Sequence, residues 1–132
     1  MSVLVLVVDD EPDIEALFRQ QFRRDLREGR FEMGFAGSGP QALGLIAAAA
    51  GRDIILLLSD VNMPGMSGFD LVARARTLRP DVPVVLITAY DDPGTRLRAG
   101  ESGAEGLIPK PIDFALLRAE IERRLRAREA TP

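Results

Sequence analysis

The sequence predicts a doubly wound α/β domain, with a five-stranded parallel sheet and helices on both of its faces. Three observations carry this. The runs Val3–Val8, 54–58 and 82–87 are apolar, mostly Val, Ile and Leu, without the alternation of a half-exposed strand. Between them lie segments whose apolar residues recur at helical spacing. The connections are a few residues long, as expected where each strand is followed by a helix that packs back on the sheet.

The first helix is expected from Ile14, Leu17, Phe18, Phe22 and Leu26, with Pro12 in its first turn and Gly29 just past its end. Phe31, Met33 and Phe35 alternate with Glu32, Gly34 and Ala36, which suits a short second strand. Pro40 opens a second helix carrying Leu43, Ile46 and Ala47. Leu71, Val72, Ala75 and Leu78 form the stripe of a third, stopped by Pro80. The fourth, after Asp92, contains Pro93, Gly94 and Gly100, so it should be the softest helix of the chain. A fifth strand is expected at residues 106–108. The last helix starts from Asp113 as N-cap and turns Phe114, Leu117, Ile121 and Leu125 inward.

A chain of 132 residues suits one domain, expected over residues 1–128, with 129–132 as a polar tail or linker stub. Cysteine is absent, which excludes disulfides and thiolate metal sites. The longest apolar run is far short of the roughly 18 residues of a membrane span and lacks the flanks of a signal peptide, so a cytoplasmic protein is expected. A net charge of −3 gives no electrostatic reason to expect nucleic acid as a partner. The arginines near the end of the chain alternate with glutamates, the pattern of a solvated helix face.

In open α/β sheets, ligands bind beyond the carboxyl ends of the strands, where strand order reverses. Asp9-Asp10-Glu11 follows the first apolar run, Ser59-Asp60 the third, Thr88-Ala89 the fourth and Lys110-Pro111 the fifth strand. Four distant segments thus send carboxylates, a hydroxyl and an amine to one edge. Asp9, Asp10 and Asp60 would repel each other there, and a single ammonium cannot compensate. A hard divalent ion resolves the conflict, and magnesium suits a site with no His and no Cys. Of the 17 lysines and arginines only Lys110 is a lysine. A compact ammonium fits as a point charge on a phosphate in a tight cleft where a forked guanidinium does not.

At these residues the chain resembles the receiver domain of bacterial response regulators, with its flavodoxin-like topology. The motifs are Asp9-Asp10-Glu11-Pro12, the block from Ser59 through Asp60, Asn62 and Pro64 to Gly68, then Thr88-Ala89 and Lys110-Pro111. The resemblance runs from Val3 to about Arg126 and implies a signalling acceptor rather than a turnover enzyme. By this resemblance Asp60 takes a phosphoryl group from a phosphohistidine and later loses it by slow hydrolysis. Asp10, Asp60 and the backbone carbonyl of Asn62 would ligate Mg2+, with Asp9 acting through water. Thr88 and Lys110 would contact the phosphoryl oxygens. The resemblance also implies a sensor histidine kinase or a histidine phosphotransfer protein as donor, an output partner, and a homodimer through the fourth helix, fifth strand and last helix. It further implies a cis Lys110-Pro111 bond, which would turn the chain sharply enough to aim the amine.

Three departures bear on output rather than acceptance. Leu107 stands where the family has an aromatic residue, Pro109 stiffens the approach to Lys110, and Gly100 weakens the fourth helix. Tyr90, two residues beyond Thr88, is expected to share its side of the strand and stand at the pocket rim. A phosphatase of the haloacid dehalogenase type would want a second carboxylate where Asn62 stands. A flavin-binding module would want a phosphate-cradling loop where Asp9-Asp10-Glu11 would repel the phosphate. A receiver fold that has lost phosphorylation is disfavoured, because every acceptor residue is present.

Overall fold

The computed structural model describes residues 3–130. Its strands are β1 (Val3–Val8), β2 (Glu32–Ala36), β3 (Asp53–Asp60), β4 (Val84–Thr88) and β5 (Gly106–Pro109). They form one parallel sheet in the order β2-β1-β3-β4-β5. The helices are α1 (Ile14–Gln21), α2 (Arg23–Arg27), α3 (Gly39–Ala48), α4 (Gly68–Leu78), α5 (Pro93–Ser102) and α6 (Phe114–Ala130). The doubly wound architecture is therefore as expected, and the chain reverses its direction of winding between β1 and β3. Of the expected tail, residues 129 and 130 continue α6, and Thr131 and Pro132 lie outside the described residues.

The two faces of the sheet bury different cores. Leu4, Leu6 and Val8 of β1 join Leu57, Val84 and Leu86 in a core covered by α3, α4 and α5. Val3, Val5 and Val7 point the other way, with Leu58, Val85 and Ile87, to a core covered by α1, α2 and α6. Strands buried on both faces need no alternation, which is why these runs read as continuous apolar sequence. At one place the period of two breaks. Leu4 pairs with Ile54 but Val5 pairs with Leu56, so a bulge at Ile55 puts Ile55 and Leu56 on the same face.

The helices depart from expectation in detail. The single first helix is two, because Phe22 leaves helical geometry at φ −110° and ψ 21° while its ring stays in the core. Pro12 lies ahead of α1 rather than in its first turn. Leu17, expected inward, is 39% exposed, since the α1 stripe is narrow and only Phe18 is fully covered. On α3 the buried set is Gly39, Ala42 and Ile46, followed by Ala49 at the C-cap, and Ala47 faces solvent. Leu78, in the last turn of α4, is also exposed.

The caps are better specified. Ser67 and Asp70 form a reciprocal capping box on α4, Asp92 accepts from the Thr95 amide, and Asp113 accepts from the amides of Ala115 and Leu116. The expected softness of the fourth predicted helix, α5 here, has a packing counterpart: α5 buries Ala99 alone among its ten residues. No helix among the described residues is long and apolar enough to cross a membrane.

Candidate functional site

The carboxyl ends of β1 and β3 lie side by side at the point where the winding reverses. Asp9 leaves β1 there, and its amide donates to the Ala36 carbonyl at 3.0 Å, which holds the chain beside β2. Its Oδ1 accepts from the Glu11 amide at 2.9 Å. Asp60 is the last residue of β3, and the next amide, of Val61, still donates to Ile87 at 2.9 Å, so the strand end is held in the sheet. Asp60 Oδ1 accepts from the Asn62 amide at 3.2 Å.

Beneath Asp60 the backbone is packed as tightly as it can be. The Gly68 amide donates to the Val61 carbonyl at 2.9 Å, and a Cβ on Gly68 would stand 2.4 Å from the Asp60 carbonyl oxygen. Only glycine admits that approach. The fully buried Ser59 hydroxyl donates to the same carbonyl oxygen at 3.0 Å.

Lys110 reaches the cleft from the other side. Its amide donates to the Thr88 carbonyl at 2.8 Å, its bond to Pro111 is cis as expected, and its Nζ lies 2.9 Å from Asp60 Oδ2 and 3.7 Å from Asp9 Oδ2. Asp9 and Asp60 are each only 5% exposed, and Asp10 is exposed at the mouth. Carboxylate oxygens of Asp9, Asp10 and Asp60 lie within 4.8 Å of one another, an acidic cluster able to hold a metal ion. All its donors are oxygens and the chain has no His or Cys, so the set fits a hard divalent cation.

The electrostatics agree with that geometry. Burial pushes the Asp9 carboxyl above its ordinary value, and the nearby charges of Asp60 and Asp10 add to the effect. The Glu11 amide and Lys110 oppose it without cancelling it. Burial works against the Lys110 ammonium, yet its pKa is raised, because the hydrogen bond to Asp60 and the charges of Asp60, Asp9 and Glu11 outweigh it.

Asp9, Asp10, Asp60 and Lys110 are thus brought together as the sequence led one to expect. Thr88 is at the same strand edge, and its buried hydroxyl accepts from the Tyr90 amide at 2.9 Å in a tight local turn. Asn62 is exposed beside Asp60. The period-of-two argument for Tyr90 fails, since β4 ends at Thr88, and the Tyr90 ring is 65% exposed. Ser59 and Gly68, which the sequence reading placed in the motif block without a role, are supporting residues. The signal for Gly68 was present, as a glycine directly after a Ser cap and opening a helix.

An open five-stranded α/β sheet thus carries an acidic cluster and a lysine together at its switch point, an architecture that belongs to a known family. The family model of the response regulator receiver domain matches residues 5–122. The chain belongs to this family, and it is a receiver domain of two-component signalling. It is 44% identical over 126 residues to the response regulator PleD of Caulobacter vibrioides, covering 92% of this chain and 26% of PleD. It is 34% identical over 134 residues to the response regulator MprA of Mycolicibacterium vanbaalenii, covering 100% of this chain and 53% of MprA. The chain therefore spans about a quarter of one curated relative and about half of the other.

Among solved structures, a CheY-like receiver domain protein from Methanospirillum hungatei superposes with a TM-score of 0.81 at 26% identity, covering 100% of both chains. The response regulator TrrA of Thermotoga maritima, solved in complex with Mg(2+)-BeF, gives a TM-score of 0.73 at 28% identity over 94% of this chain and 99% of that one.

Proposed function

We propose that Asp60 is the phosphoacceptor of this receiver domain and that the reaction depends on Mg2+. The observation that carries the reading is the Lys110 ammonium 2.9 Å from Asp60 Oδ2, in a cleft where Asp9 and Asp10 complete an acidic cluster. An Asp60 oxygen attacks the phosphorus of a phosphohistidine, the P–N bond breaks, and the imidazole leaves with its electron pair and takes a proton. The product is an acyl phosphate on Asp60.

Asp10, Asp60 and the backbone carbonyl of Asn62 would hold the metal, with Asp9 acting through water. The bound ion would neutralise phosphoryl oxygens, which is most of what phosphoryl transfer requires. Lys110 supplies the second positive charge, directly to the phosphoryl oxygens. Thr88 reports the change: its hydroxyl gives up the Tyr90 amide and turns to the new oxygens, a local event able to bias a two-state surface. The chain is an acceptor that is loaded and slowly hydrolysed, not a turnover enzyme. Its donor is a sensor histidine kinase or a histidine phosphotransfer protein, and the chain itself acts in the cytoplasm. Its output, to a partner or to a second copy, runs through the face of α5, β5 and α6. That TrrA was crystallised with Mg(2+)-BeF supports the same reading for a similar fold.

Acetyl phosphate with magnesium should add one phosphoryl group to the intact mass, and chelator should abolish the addition. Asp60→Asn should remain unmodified. A phosphorylated Asp60→Asn protein would overturn the assignment.

A further inference from the structure

Five of the six phenylalanines gather on one face of the sheet. Phe18 and Phe22 from the first helical segment meet Phe31 and Phe35 from the second strand region, and Phe114 closes the group from the start of α6. The Phe114 ring sits edge-on to Phe18 at 5.3 Å between centroids and to Phe22 at 6.2 Å. Edge-to-face pairs at such distances hold ring orientation as well as burying area. Phe114 therefore fixes where α6 begins.

That beginning lies close to the cleft in sequence and in space. Only Pro111, Ile112 and Asp113 separate Phe114 from Lys110. Asp113 caps α6, and Phe114 lines the same groove as Lys110, Pro111 and Asp9. The loop carrying the amine is thus held at two ends. One tether is the Lys110 amide on the Thr88 carbonyl at 2.8 Å. The other is Phe114 in the aromatic cluster.

We infer that Phe114 is a positioning residue for Lys110: its ring, clamped by Phe18 and Phe22, sets the loop that aims the ammonium at Asp60. The inference rests on the acceptor reading above. A flexible four-carbon stem aims well only if its backbone is fixed, and small misplacements of a charge at a reacting centre are costly in rate. Phe114 touches no reacting atom and acts only through Lys110.

The test is a double-mutant cycle read as the rate of phosphorylation by acetyl phosphate at saturating magnesium. Phe114→Ala should slow the reaction about tenfold, a misplacement effect well short of removing the group. The magnesium concentration for half-maximal rate should not move, because the carboxylates stay where they are. In a Lys110→Ala background the same substitution should change the rate less than twofold, since the group it positions is gone. Phe114→Leu, which keeps an apolar anchor, should show the same pattern with a smaller loss, and it carries the cycle if the alanine variant does not fold. Equal losses in both backgrounds, or no loss in the first, would overturn the inference. Lys110→Ala as fast as the parent would overturn it too, by removing the amine from the reaction. The acceptor reading fails separately, if Asp60→Asn still takes the phosphoryl group.

Discussion

Helices α5 and α6 flank the short strand β5, yet they are held to the molecule in opposite ways. α6 buries Leu117, Ile121 and Leu125, and is tied to α2 and its flank by Arg30 to Glu122 and by Arg118 to the Gln21 carbonyl and the face of Phe22. α5 buries only Ala99, and its other holds are few: Arg98 lies 4.4 Å from the Phe69 ring centre, and Arg76 of α4 donates to the Gly103 carbonyl at 3.1 Å. The difference teaches that the side which carries the amine is stiff, while the opposite side can respond. Low local stability is where switching elements are drawn from.

The sharpest way to break this comparison is to weaken each helix in turn. Ile121→Ala removes a fully buried side chain and should cost about 2–5 kcal/mol in denaturant unfolding. Ala99→Gly should cost only about 1 kcal/mol, mostly helix propensity. Comparable losses would show that α5 is anchored as well as α6.

Strengthening α5 is the next test. Gly100 is interior to the helix and a Cβ there would meet nothing within 4 Å, so Gly100→Ala should stabilise the fold by up to about 1 kcal/mol. Amide exchange across residues 93–102 should slow in that variant and remain as it was in α6. Exchange that slows equally in both helices would mean that they open together.

The smallest effect concerns the acidic cleft at the carboxyl ends of β1 and β3. The raised Asp9 carboxyl holds its proton more tightly in the folded chain than in the unfolded one. Stability from this group is therefore greatest below the ordinary carboxylate range and is lost as pH rises through the raised value. Asp9→Asn should then melt higher than the parent at neutral pH in chelator, and the gap should close on acidification. A variant less stable than the parent at neutral pH in chelator would refute the sign of the shift.

Much of this architecture was legible in the chain. Val3–Val8 and the runs around Leu57 and Leu86 declare buried parallel strands because both faces are covered, and the motif residues declare which edge is used. Local signals failed where tertiary contacts decide. Nothing in the spacing of Phe18 and Phe22 shows that the helix breaks at Phe22, or that these rings meet Phe114, ninety-odd residues on. The bulge at Ile55 is invisible in an unbroken apolar run. The hydroxyl of Thr88 was placed at the right edge, but its rotation toward the Tyr90 amide depends on a turn that no periodicity encodes. Likewise Asp9 and Asp10 are equivalent as letters, and only the fold buries the first and exposes the second.

The close approach of Gly68 to the Asp60 carbonyl has a mechanical consequence. With no side chain between them, and with the Gly68 amide bonded to Val61, the root of α4 and the tip of β3 behave as one welded joint. A displacement of Asp60 toward α4 cannot be absorbed by closing that joint, since the backbone atoms are already in contact. The tip of β3 is held on its other side by β4, whose Ile87 carbonyl accepts from the Val61 amide, and β4 leads on to the lightly held α5. The glycine is thus a fixed point beneath the cleft, where the root of a helix and the tip of a strand meet without a side chain between them.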